Sequence, residues 1–245
     1  ENGTTVTKNY PEIFDQAPIV QLPGIGDLAY YPNRNSLSYI DTYHLHGVNN
    51  FVRTTLRYPA FCTGWNAIVQ LDLTNETEIS LAPNTSVKDW FNDHIQQNGL
   101  EAVLMKFNQD AQIKEQLEFI GLNDATNIPA QFNSNASILQ WLLEDKWKLA
   151  DTDKDLVVML HEIDYSIGDR HFKLDSSMVL TGKDAIHTAM ATTVGLPLAM
   201  GVCAYLKGEI QMTGLHIPID ARIYQPILKC LAEEGIIFEE TLTAY

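Results

Sequence analysis

Two arginines stand in words that could do binding chemistry: Arg34 in Tyr31-Pro32-Asn33-Arg34-Asn35-Ser36, and Arg57 in Arg53-Thr54-Thr55-Leu56-Arg57-Tyr58. A guanidinium presents five N–H donors in a fixed fork and grips a carboxylate with two parallel bonds, so a pair of them suits a small ligand with two or three carboxylates. The chain has 31 Asp and Glu against 16 Lys and Arg, a formal charge of −15, so a cationic site must be built locally against that background. The competing role for both arginines is an internal salt bridge to a neighbouring acid. Thr55 and Leu56, beside Arg57, could add a hydroxyl or backbone donor.

Fewer residues offer proton chemistry. His161, in Met159-Leu160-His161-Glu162, and His187, at the start of an apolar run, are the acid/base candidates, although a half-buried structural histidine is the commoner fate of either. Cys62 begins a helix with no base beside it in sequence and reads as a small buried hydrophobe. Asn33 and Ser36 are expected to bond to the turn. The Asp151-Thr152-Asp153-Lys154-Asp155 run lacks the glycine and closing glutamate of a calcium loop and reads as a solvated linker, with no metal site. Gly24-Ile25-Gly26 opens no helix and is too short for a dinucleotide loop, so no cofactor-binding residue is expected in this chain.

The elements that must hold these residues follow from period and punctuation. Residues 19–22 and 28–31 read as strands around Pro23-Gly24-Ile25-Gly26-Asp27, a helix capped by Ser36 runs to about Tyr43, and 50–56 is a strand closed by Pro59. Both arginines thus fall just past a strand, where side chains tend to face a cleft. Helical periodicity takes over at 60–71, 87–97 with a Ser86 cap, 109–120 and 136–147. Residues 156–165 and 171–180 form a hairpin around Ile167-Gly168-Asp169-Arg170. A buried apolar helix over about 184–207 with Pro197 inside it, an extended stretch 214–219, a helix 222–233 and a strand 236–242 complete the chain. The fold class expected is α+β: a mixed β-sheet with helices packed on one face, an all-helical insertion and no Rossmann domain. The expected division groups 1–58 with 151–245 as the substrate-binding and dimerisation domain, interrupted by the helical insertion 59–150.

Composition bounds the partners. A 45% hydrophobic content with four Trp and ten Tyr describes a folded protein. The acidic balance, without a Lys/Arg cluster, points away from nucleic acid and from an anionic membrane surface, leaving small molecules and protein subunits. The threonines and Pro197 in the apolar run argue against a membrane span. Three cysteines in no CxxC arrangement suit a reducing compartment and outweigh the four Asn-x-Ser/Thr sequons, so a cytoplasmic location is expected. No signal peptide is visible, and a chain that starts at Glu1 reads as a piece of something longer.

Taken together, Leu22-Pro23-Gly24, Tyr31-Pro32-Asn33-Arg34, Thr55-Leu56-Arg57-Tyr58, the run Ala189-Met190-Ala191-Thr192-Thr193-Val194-Gly195-Leu196-Pro197 and Gly235-Ile236 resemble saccharopine dehydrogenase of the glutamate-forming type, in its C-terminal substrate-binding and dimerisation portion. The likeness spans about 20–238 and is weaker through the helical insertion. It implies interconversion of saccharopine with glutamate and 2-aminoadipate 6-semialdehyde, using NADP or NAD bound by a missing N-terminal Rossmann domain. It implies saccharopine, glutamate or a similar small amino acid as ligand, a homodimer, and Arg34, Thr55, Leu56 and Arg57 as the binding residues. The isolated chain would then be inactive. Asn35 stands where the family usually has Asp, Thr54 where it commonly has Gly, and Ile25 where it has an aromatic residue. A carboxynorspermidine or homospermidine synthase-like oxidoreductase domain, or a non-catalytic binding or assembly domain, are the alternative functions.

Overall fold

Gly24 and Gly26, with φ of +77° and +96°, reverse the chain between β1 (Ile19–Leu22) and β2 (Gly26–Pro32), a backbone that L side chains rarely adopt. β2 pairs antiparallel with β1 and with β3 (Thr54–Arg57), giving the order β1-β2-β3. A short helix, α1 (Ser38–Thr42), interrupts the crossing from β2 to β3. Ser36 does not cap it. Its hydroxyl instead accepts the Arg53 N–H at 3.2 Å, which ties the turn after β2 to the approach to β3.

Pro59, expected to close a strand, opens α2 (Pro59–Gln70), where its fixed φ suits a first helical turn and its missing N–H costs nothing. The inner face of α2 buries Cys62 and Val69 with Ala29 and Phe14. Its other buried face, Ala67, Ile68 and the following Leu71, joins the main core with α3 (Val87–Gln97), α5 (Ala111–Ile120) and α6 (Asn135–Lys146). Ser86 and Asp110 cap α3 and α5 through their side-chain oxygens. Between them lies α4 (Glu101–Asn108), a helix the periodicity did not announce because it buries Phe107 alone.

Inside this core a polar network is closed. Asn135 accepts from Trp90 Nε1 (3.1 Å) and donates to the Asp72 carbonyl (3.2 Å), while its amide also meets His94 Nδ1 (3.1 Å). The other ring nitrogen of His94 bonds to the Leu71 carbonyl at 2.8 Å.

The second part of the chain carries β4 (Leu156–Ile167), β5 (Arg170–Thr181) and β6 (Glu239–Ala244) in a second antiparallel sheet of that order, with Gly168 at φ +62° in the hairpin turn. α7 (Ala189–Leu206) and α8 (Ala221–Glu233) pack on it around Met178, Leu231 and Ile236. Asp155, expected in a solvated linker, receives the Ala189 and Met190 N–H groups at 2.6 and 2.8 Å and so sets a negative charge on the first turn of α7. Gly182 is needed beside it, because an added Cβ would meet that carboxylate and the Ala189 nitrogen.

The computed structural model describes all 245 residues, and the fold is α+β as expected. Its strands hydrogen-bond as two three-stranded antiparallel sheets, where one mixed sheet was expected. Two compact units result, Glu1–Lys148 and Leu149–Tyr245. Because α2 follows β3 directly and packs on β2, β1–β3 share a unit with the helices, which differs from the expected grouping of 1–58 with 151–245 around an insertion at 59–150. The expected burial of α7 is also corrected. Only 11% of it is buried, although it is long and apolar enough by composition to cross a membrane; its outward face carries Val194 at 64% and Leu198 at 71% exposure.

Candidate functional site

The β2–β3 register decides which side chains can act together. Ala29 lies opposite Arg57, Tyr31 opposite Thr55 and Pro32 opposite Thr54, and the Asn33 N–H to Arg53 carbonyl bond (2.9 Å) carries the ladder one step further. Arg34 follows that last bond in the left-handed region, at φ +52°, a backbone that is costly for a long side chain. Arg34 and Arg57 therefore sit at opposite ends of one strand pair. Five residues of strand at about 3.3 Å each separate their backbones by roughly 16 Å.

Neither guanidinium is neutralised. The arginine found in an ion pair is Arg222, on Asp220. Arg57 is exposed, donates Nη1–H to the Leu56 carbonyl at 2.8 Å and lies 5.7 Å from the Phe61 ring centre. Phe61 is itself stacked on Trp65, with centroids 5.5 Å apart and planes within 11°, and Trp147 leans on both. The charge of Arg57 reaches inward as well. Burial raises the Tyr31 phenol, and the Arg57 guanidinium opposes that rise; burial likewise raises the Cys62 thiol against the same cation.

Thr55 and Leu56 lie in β3 and are half-buried. Thr55 stands on the same face as Tyr31 and Arg57, whereas Leu56 points to the opposite face by strand alternation. Asn35 turns its side chain onto the Leu37 N–H at 2.9 Å. Arg53, not singled out by its sequence context, is half-buried with its guanidinium 3.6 Å over the Tyr39 ring. The two histidines belong to the second unit and are both exposed. His161 stands opposite Ser176 in the β4–β5 ladder with its ring 5.7 Å from Phe238. His187 bonds through Nδ1 to Asp184 Oδ2 (3.0 Å) in the turn before α7.

Every strand pairing is antiparallel, and Gly24 and Gly26 lie in the β1–β2 turn and do not lead into a helix.

Fold and site together define an α+β domain with cationic side chains at both ends of one antiparallel strand pair. The chain belongs to the saccharopine dehydrogenase C-terminal domain family, whose model matches residues 1–236. Relatives from Saccharomyces cerevisiae and Pyricularia oryzae carry the name saccharopine dehydrogenase [NADP(+), L-glutamate-forming]. The chain is 31% identical over 238 residues to the mitochondrial alpha-aminoadipic semialdehyde synthase of Rattus norvegicus, covering 92% of this chain and 26% of the relative. It is 28% identical to the saccharopine dehydrogenase [NADP(+), L-glutamate-forming] of Saccharomyces cerevisiae, covering 87% of this chain and 51% of the relative. A solved structure of saccharopine dehydrogenase (L-Glu forming) from that yeast superposes with a TM-score of 0.84 at 24% identity, over 99% of this chain and 57% of that one, a likeness of fold. The chain thus spans a quarter to somewhat over half of the proteins it matches.

The cytoplasmic expectation is overturned. The rat, bovine and mouse relatives, each 31% identical, are mitochondrial proteins by name. Free cysteines separate reducing from oxidising surroundings and carry no information about which reducing compartment holds the protein.

Proposed function

We propose that this chain is the substrate-binding portion of an NAD(P)-dependent saccharopine dehydrogenase, interconverting saccharopine with glutamate and 2-aminoadipate 6-semialdehyde. The observation that carries the reading is the pair of unneutralised guanidiniums, Arg34 and Arg57, at the two ends of the β2–β3 pair in a chain with a formal charge of −15. The nicotinamide cofactor, held by another part of the complete protein, exchanges the hydride. This chain's residues bind and orient. Each guanidinium takes one end of the ligand by two parallel N–H bonds, and the Thr55 hydroxyl lies between them as a neutral donor. A ligand held at both ends is fixed along the strand pair, which limits how far its carbon–nitrogen bonds can move relative to the cofactor. His187 is engaged with Asp184 in a turn, and no proton transfer is assigned to it or to His161.

The same reading makes the complete protein a homodimer. Ile186, Met190, Val194, Leu198, Val202 and Leu206 recur at every fourth position and are each more than half exposed. They offer on the order of 700 Å² of apolar surface, close to the roughly 800 Å² each partner buries in a standard interface. A face without charge is also where two acidic copies meet with least repulsion.

The test is turnover. The complete protein should reduce NADP when given saccharopine and release glutamate, and the chain of 245 residues alone should not. Turnover by the chain alone, or none by the complete protein with either nicotinamide cofactor, would refute the reading.

A further inference from the structure

Between Lys8 and Lys88 the side chains that carry a fixed positive charge are three arginines, Arg34, Arg53 and Arg57. Two of them were expected at the site. We infer that Arg53 is its third cationic contact, so that the site is built for a ligand with three carboxylates, two close together and one at a distance; this rests on the reading of Arg34 and Arg57 given above.

The two-residue alternation of β3 and its approach puts Arg53, Thr55 and Arg57 on one face, with Arg53 and Arg57 about 13 Å apart along the strand. Arg53 is locked to the turn that carries Arg34. Its carbonyl accepts the Asn33 N–H at 2.9 Å, and its own N–H donates to Ser36 Oγ at 3.2 Å. Arg34 and Arg53 therefore lie together at one end of the strand pair, and Arg57 lies at the other.

The state of Arg53 is that of a prepared binding group. Its guanidinium carbon sits over Tyr39, 3.6 Å from the ring centre, and Tyr39 leans on Tyr43 with centroids 5.7 Å apart. Stacking orders the fork and leaves its edge N–H donors unused, and no carboxylate of this acid-rich chain pairs with it. An arginine kept only for structure would be expected to take one of those acids.

The spacing accommodates saccharopine, the ligand of the proposed function. A five-carbon dicarboxylate joined through nitrogen to a six-carbon amino acid has two carboxylates on one unit and a third at the far end. With bonds near 1.5 Å in a zigzag, its extended length is about 12 Å, which two inward-reaching guanidiniums can span. The paired carboxylates belong at Arg34 and Arg53, and the single one at Arg57.

The experiment uses the complete protein. Arg53→Met should raise KM for saccharopine by about ten- to a hundredfold with little change in kcat at saturation, the signature of lost uniform binding. It should weaken competitive inhibition by glutamate, which carries the paired carboxylates, whereas Arg57→Met should raise KM for saccharopine and leave glutamate inhibition nearly as it was. Arg53→Lys, which keeps charge and lacks the fork, should fall between, and it gives the reading if the methionine variant does not fold. Tyr39→Leu should raise KM and Tyr39→Phe should restore it, since the ring, and not the hydroxyl, holds the guanidinium. Unchanged KM and glutamate inhibition in Arg53→Lys and Arg53→Met, with large losses in Arg34→Met and Arg57→Met, would overturn the role of Arg53 alone. Unchanged values in all of these variants would remove the underlying site.

Discussion

Arg57 is tied into its surroundings by contacts that leave its charge intact: its neighbour's carbonyl on one side and the Phe61 ring on the other. That charge is felt by Tyr31, whose phenol is raised by burial and partly restored by the cation. Replacing Arg57 by Met should therefore push the Tyr31 ionisation further to the alkaline side. A spectrophotometric pH titration, taken as the difference from a Tyr31→Phe chain, reads this directly; an unmoved curve would place the guanidinium away from the β2–β3 face. At this scale the sequence offers residue type, which is what makes Arg34 and Arg57 candidates, and is silent where a register decides. Nothing in Phe51-Val52-Arg53 announces that Arg53 stacks on a tyrosine fourteen positions earlier, because that contact exists only once α1 has folded back over the strand ends. The left-handed backbone at Arg34 is equally invisible in a sequence that offers glycine at other turns and arginine here.

Helices in this chain depend on side chains that answer their first N–H groups and on polar groups matched inside the core. Asn135→Ala would strand Trp90 Nε1 and the Asp72 carbonyl in a buried site, at a cost on the order of 3 kcal/mol. A fall in the urea midpoint with unchanged slope would show it, and a midpoint equal to that of the parent chain would mean that the network contributes nothing. The turns before α7 and α8 carry an acid sensitivity. Asp184 is held at about 2 by the His187 backbone N–H first and the His187 ring second, and Asp220 at about 2 by the Arg222 side chain first. Both values lie below the ordinary 3.8, so what these carboxylates contribute to stability is complete above about pH 4 and fades as pH falls toward 2. The protection factors of the Ile186 and His187 amides should fall in that window and not in Asp184→Asn, where they should already be low at neutral pH. Ser86 and the long helical patterns were legible because a cap and a buried stripe are local signals. α4 was not, since it buries a single residue, and the start of α7 was not, since its anion, Asp155, arrives from 34 positions upstream.

The whole molecule presents two uncommon surfaces for an acidic chain: a strand pair with free guanidiniums and an apolar helix face. Leu198→Asp, placing a charge in the middle of the exposed α7 stripe, should convert a dimeric complete protein to monomers in sedimentation experiments; a dimer that persists would move the interface elsewhere. Hydrophobicity read along the chain made α7 a buried helix because composition reports what a helix prefers to touch, and not whether the partner is in the same chain. The α+β class was legible in the alternation of strand and helix patterns, whereas the division into two sheets was not, since antiparallel strands with compatible patterns pair equally well on paper. The central claim is that Arg34 and Arg57 hold the two ends of one anionic ligand. Calorimetric titration of saccharopine into the complete protein and into its Arg34→Met/Arg57→Met form tests it most directly: the account predicts that the double variant loses at least a hundredfold in affinity, about 3 kcal/mol, and equal affinity in the two proteins would contradict it.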